Sequence, residues 1–188
     1  RALLVLAMVS GLGATACGPP WQVISQATPN PMVGAGEFAV MPVDFTGLTV
    51  GDGSESEYLA DKDEETRGKW AGDKTAMNVE FTKALRGQAS ESGIKVVEAT
   101  GPGAKFTIQP KVVFIEPGFF TSFVNKASET EMIVYIVDES GAKLDEISMK
   151  HSTPASLVNA GVGHRQRDDA EGLGGYMGEY LAARTNPG

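Results

Sequence analysis

Apolar residues recur along this chain with two periods, and the periods separate strands from helices. Over 105–116, Phe106, Ile108, Val112 and Phe114 fall on one alternating face, the mark of a half-buried strand, and Pro110 inside the run points to an edge or a bulge. Over 130–138 the run Met132–Val137 is almost continuously apolar, as in a central strand covered on both faces, or on one face by the chain and on the other by a partner. It closes on Glu139, Ser140 and Gly141 and resumes over 142–150, which reads as a hairpin. Shorter strands are expected over 37–45, where Pro42 interrupts, and over 94–98. The longer period appears in Met77, Phe81 and Leu85, four residues apart, with Trp70 one heptad before. This predicts a helix over 66–92 with that stripe against a sheet, ended by Gly93. A second stripe, Leu173, Met177, Tyr180 and Leu181, predicts a terminal helix over 168–184. Asp168, Asp169 and Glu171 would lie at its positive end and Arg184 at its negative end. Gly174-Gly175 would let another element approach closely. The glycine- and serine-rich stretch 46–59 reads as a mobile surface loop, and the charged run 61–65 as a solvated face. Strands grouped between two helices predict one α/β (α+β) domain, a mixed four- to five-stranded sheet with two helices on one face.

The first 36 residues break both periods. A single Arg1 precedes an apolar run over 2–16 that ends on small residues, the layout of a secretory signal. Ala14, Thr15 and Ala16, followed by Cys17, resemble a bacterial lipoprotein signal, although Ala14 stands where that family usually has leucine. The resemblance implies removal of 1–16 and a lipid on the Cys17 thiol; ordinary cleavage at the same A-x-A site is the rival. Cys17 is the chain's single cysteine, so an internal disulfide is excluded and the fold must rest on its apolar core. The chain opens on Arg rather than Met, so the signal is expected to begin further upstream. Residues 17–36, with four prolines and few large apolar side chains, read as a flexible tether, and 37–188 as the single domain. A net charge of −8 argues against nucleic acid and against adhesion to anionic lipid.

Candidate chemistry is sparse. His151 and His164, the two histidines, lack the spacing of a metal site, and neither metal nor cofactor is expected. Ser156, His164 and Asp168 can be drawn as a triad, but without the G-x-S-x-G context and within one short segment. The adjacent carboxylates Asp138-Glu139 and Asp145-Glu146 point to opposite faces of a strand and read as solvated hairpin ends. Gly161, Gly163, Arg165 and Arg167 precede a helix and form a candidate anion site, so a ligand-binding or enzymatic role for the loop 159–167 is the alternative reading. Phe119, Phe120 and Phe123 follow a Pro-Gly turn in a polar stretch. Either two of them plug the end of the core, or at least one stays exposed and anchors a protein partner.

The segment 119–184 carries Val134-Tyr-Ile-Val-Asp138, then Gly141 and Leu144, then Ala155-Ser156, Arg165 or Arg167, and Leu173 with Tyr180-Leu181. It resembles the small α/β domains of uncharacterised bacterial envelope lipoproteins, and is similar to the amino-terminal domain of TolB and the periplasmic domain of the curli-secretion lipoprotein. The resemblance implies assembly without catalysis. The expectation is therefore a lipid-anchored, non-catalytic envelope protein, on the outer membrane facing the periplasm, that binds an envelope protein partner.

Overall fold

The computed structural model describes residues 19–99, 103–121, 123–156 and 161–187. The chain begins with strand β1 (Trp21–Gln26) and β2 (Glu37–Val40), then two short strands, β3 (Thr49–Val50) and β4 (Gly53–Ser54). Two helices follow, α1 (Glu55–Ala60) and α2 (Glu64–Glu91), then β5 (Lys95–Glu98) and β6 (Phe106–Glu116). A small hairpin, β7 (Phe119–Phe120) and β8 (Asn125–Lys126), leads to β9 (Ser128–Asp138), β10 (Lys143–Thr153) and α3 (Val162–Thr185).

The main sheet is mixed, with strand order β1-β10-β9-β6-β2-β5 and β3 and β4 branching from β6. Pairing is antiparallel from β1 through β6 and parallel across β6, β2 and β5. Phe106, Ile108, Pro110 and Val112 of β6 share a face with Met132, Val134 and Ile136 of β9, and α2 and α3 cover that face. The expected stripe of α2 is buried in full: Trp70, Met77, Phe81 and Leu85, extended by Ala89. Leu173, Met177, Tyr180 and Leu181 of α3 are buried as expected. The two helices run parallel. Gly163 lies against Asp73, Gly174 against Phe81 and Leu85, and Gly178 against Gln88 and Ala89. A Cβ at Gly174 would fall 2.3 Å from the Phe81 carbonyl oxygen, so glycine is what admits this crossing.

Four expectations are corrected. The sheet has eight strands among the described residues rather than four or five. The stretch 17–36 is not a tether throughout: β1 pairs with β10, Met32 is fully buried, and the Asn30 amide donates to the Arg184 carbonyl at 2.7 Å. An edge strand that tucks in little more than Trp21 carries no alternation, which is why the pattern missed it. The stretch 46–59 holds β3, β4 and α1, with Leu48 and Val50 buried. Helix α1 starts at a capping box: Ser54 Oγ accepts from the Glu57 amide, and the Glu57 carboxylate accepts from the Ser54 amide. Finally, α3 begins six residues before the expected 168, at Val162. In the charged run, Asp63 caps α2 by accepting from the Thr66 amide at 2.8 Å, and the Thr66 side chain, then its amide, hold the Asp63 carboxyl below the usual range.

Helices on one face leave the other open. Thr107, Gln109 and Lys111 of β6 stand there in register with Val137, Tyr135 and Ile133 of β9. The apolar run Met132–Val137 thus has one face in the core and one toward solvent.

Candidate functional site

Strand β10 carries a bulge between Lys143 and Asp145, where the register to β9 shifts. From Asp145 on the register is unbroken, so Asp145 alternates onto the buried face with Ile147 and Met149 while Glu146 points the other way, and Asp145 is not the solvated hairpin end that the sequence suggested. Asp145 is fully buried and fully satisfied. Its Oδ2 accepts from the Tyr180 hydroxyl at 2.5 Å and from Arg184 Nε at 2.7 Å; its Oδ1 accepts from Arg184 Nη2 at 2.9 Å and from the Ala27 amide at 3.0 Å. Burial, then the bond to Asp145, pushes the Tyr180 hydroxyl well above its ordinary pKa. The bond to Asp145 likewise raises Arg184. A saturated carboxylate has no lone pair left for a substrate, so this group joins β1, β10 and α3 rather than catalysing.

At the opposite end of the sheet lies a second buried carboxylate, Asp169 of α3. It accepts from Ser128 Oγ at 2.7 Å and Thr153 Oγ1 at 2.6 Å, and its Oδ1 is 3.1 Å from His151 Nδ1. Because α3 starts early, Asp169 lies two turns inside the helix rather than at its positive end. The His151 ring, half-buried, packs on Tyr176 and over Gly172. An aspartate that orients a histidine is two thirds of a hydrolytic triad. Among the described residues, however, no hydrogen bond joins the imidazole to a serine or threonine hydroxyl; the nearby hydroxyls all serve Asp169 or backbone. No group of three metal-ligating side chains occurs among the described residues.

The start of α3 does not assemble the expected anion cradle. Gly161 is its N-cap, and Gly163 is pressed against Asp73, whose Oδ1 would lie 2.2 Å from an added Cβ. A carboxylate of the chain itself therefore stands beside the positive end of the helix. Arg165 is fully buried and its Nη2 donates to the Pro117 carbonyl at 3.0 Å, tying α3 to the base of the small hairpin. Arg167 is half-buried and His164 exposed; residues 159 and 160 of the loop lie outside the described residues, as does Cys17. Gln166 is fully buried with neither amide oxygen nor nitrogen hydrogen-bonded.

The three phenylalanines lie on the β7–β8 hairpin, and none plugs the core. Phe120 is half-buried, Phe119 is 44% exposed and Phe123 is 97% exposed, with Val124 beside it at 59%. A second apolar surface lies on the open sheet face. There a cleft of about 600 Å³ is lined by Met41, Pro42, Thr107, Gln109 and Val137 together with the carboxylates Asp138 and Glu139. A neighbouring hollow of about 480 Å³ adds Tyr135 and Lys111. Among the described residues, no histidine, cysteine or serine lines either.

Sequence reasoning missed both buried aspartates. The signal for Asp169 was present: Ser128 and Thr130 occupy the same strand face as Met132, and a polar pair on a buried face needs a partner.

No protein-family model matches the chain, and no curated protein matches it in sequence. Among solved structures, the PelC dodecamer from Paraburkholderia phytofirmans is similar over 84% of this chain and 97% of that one, at 9% identity and a TM-score of 0.46. The hypothetical protein CT253 from Chlamydia trachomatis is similar over 79% and 98%, at 10% identity and a TM-score of 0.45. The likeness is one of chain path, in an α/β arrangement, and no more.

Proposed function

We propose that this protein is a lipid-anchored, non-catalytic envelope module, held by Cys17 to the periplasmic side of the outer membrane, that binds a protein partner on the uncovered face of its sheet. The observation that carries the reading is that face itself. It presents an apolar cleft bordered by Met41, Pro42, Tyr135 and Val137, with no convergent set of catalytic groups. The resemblance to the TolB amino-terminal domain and the curli-secretion lipoprotein points to the same class of role, assembly rather than chemistry. The alternative, a small-ligand or anion site at 159–167, has less to stand on. Arg165 faces inward, and Asp73 lies where an anion would be drawn.

Two measurements test the reading. Cys17→Ser should release the protein from detergent-extracted membranes into the soluble fraction; a variant that stays membrane-bound removes the lipid anchor. A photo-crosslinking amino acid at Tyr135 should give a discrete protein adduct in intact cells, while the same group at the exposed Glu171 of α3 gives none. Equal labelling from both positions, or none from Tyr135, removes the docking face.

A further inference from the structure

We propose that the β7–β8 hairpin is a second membrane contact, whose Phe123 and Val124 enter the interface of a zwitterionic bilayer beside the lipid on Cys17. The inference rests on the anchor reading above and adds how the domain meets the membrane.

The path of the chain points its first described residues toward the end of the molecule that carries the hairpin. Trp21 pairs with Met149, and Met149 with Met132. Traced backward from Trp21, Pro20 and Pro19 therefore run toward the end of the sheet where Thr153 pairs with Ser128. The hairpin leaves the sheet at that same end, between Glu116 of β6 and Ser128 of β9.

Length then forces proximity. With β1 starting at Trp21, only Gly18, Pro19 and Pro20 separate Cys17 from the folded body. Fully extended, the four steps from Cys17 to Trp21 span at most ~14 Å. From Met132, level with Trp21, the strand continues to Ser128 over another ~14 Å before the hairpin begins. A lipidated Cys17 thus cannot hold the hairpin end away from the bilayer, as a twenty-residue tether would have done.

The hairpin has the chemistry for that position. Phe123 and Val124 form its tip, and Thr121 and Asn125 beside them are uncharged. The charges between Glu116 and Lys126 are those two alone, and they pair with each other at 2.6 Å. An apolar, neutral tip suits zwitterionic headgroups, whereas the overall charge of −8 disfavours anionic ones. The base is rigid. Arg165 holds the Pro117 carbonyl, the Gly118 amide donates to Glu116 at 3.0 Å, and a Cβ at Gly118 would lie 2.5 Å from the Ala127 carbonyl oxygen. The hairpin therefore holds its tip out instead of folding it onto the core. With lipid and tip both engaged, the sheet stands on its end and its open face points along the membrane, accessible to a partner.

The test uses the full, lipidated protein in phosphatidylcholine vesicles. Phe123→Trp, made in a Trp21→Phe background, should add emission that is blue-shifted and quenched at least about twofold by lipids brominated along the acyl chains; Trp70, the tryptophan that remains, is buried and contributes a constant background. Emission that is neither shifted nor quenched, from protein that is still vesicle-bound, overturns the proposal while leaving the Cys17 anchor intact. In a Cys17→Ser background, Phe123→Ser should lower partition into the same vesicles about tenfold with an unchanged melting temperature, the loss expected for removing one inserted aromatic. No loss of partition overturns the proposal. A benzophenone amino acid at 123 that captures a discrete protein instead of lipid overturns it in favour of a protein partner. Release of Cys17→Ser from membranes is scored separately, so failure of the anchor is distinguishable from failure of the tip.

Discussion

The two ends of the sheet each bury an aspartate, and they satisfy it differently. At one end Asp145 meets Arg184 in a two-pronged ion pair, with Tyr180 and the Ala27 amide completing its shell. At the other, Asp169 meets neutral hydroxyls and one half-buried histidine, and Gln166, three residues before it, lies buried with its amide unbonded. The Asp145 end draws together β1, β10 and the last turn of α3. The Asp169 end carries the exposed hairpin and the departing N-terminal chain. The contrast separates the end that the domain closes on itself from the end where it leaves apolar side chains exposed.

Breaking the Asp145 end should have the largest effect. Asp145→Ala leaves the Arg184 guanidinium with only 13% of its side chain exposed and no carboxylate, at a cost of about 3–5 kcal/mol in urea unfolding. Asp169→Ala should cost less, about 1–3 kcal/mol, because the groups it strands are hydroxyls rather than a cation. If Asp169 proves as costly as Asp145, the two ends are equivalent and the contrast fails.

Alkaline titration sharpens the comparison further. The Tyr180 hydroxyl has a raised pKa in the folded state, so the folded chain keeps its proton after the unfolded chain has lost its own. Its contribution is therefore complete below pH ~10, the ordinary tyrosine value, and is lost as pH rises from there toward the folded pKa. The measured outcome should be phenolate absorbance at 295 nm in which one of the four tyrosines ionises only as the chain unfolds, a step absent from Tyr180→Phe. The smallest effect belongs to Gln166→Met. Replacing an unbonded buried amide by an apolar side chain of similar size should leave stability unchanged or raise it by up to ~1 kcal/mol. A loss above that would mean that the amide is bonded in solution.

Much of the fold was legible because burial imposes a period. The α2 stripe, the strands over 106–116 and 128–138 and the hairpin at Gly141 each bury one face along many residues, and repetition survives as pattern. The Ser54–Glu57 capping box could also have been read, as a serine three residues before a glutamate. Elements of two residues carry no period, and β1 covers the core mostly with Trp21, so those were hidden.

By itself, then, the sequence determined the class of the fold, the faces of its long elements and the need for an apolar core without disulfides, since each follows from the spacing or count of residue types. Only the tertiary structure decided the rest. Helix α3 and the chain after β1 closed over the end of β10 and buried Asp145 in line with Ile147 and Met149. An earlier helix start placed Asp169 over the hydroxyls of β9 and β10 and drew Arg165 inward. The pairing of β1 with β10 took residues 21–26 out of the expected tether and pointed Pro20 and Pro19 toward the end of the sheet that carries the β7–β8 hairpin. These contacts join separate elements, from 16 to 118 residues apart for the side-chain bonds, and local spacing carries no record of them.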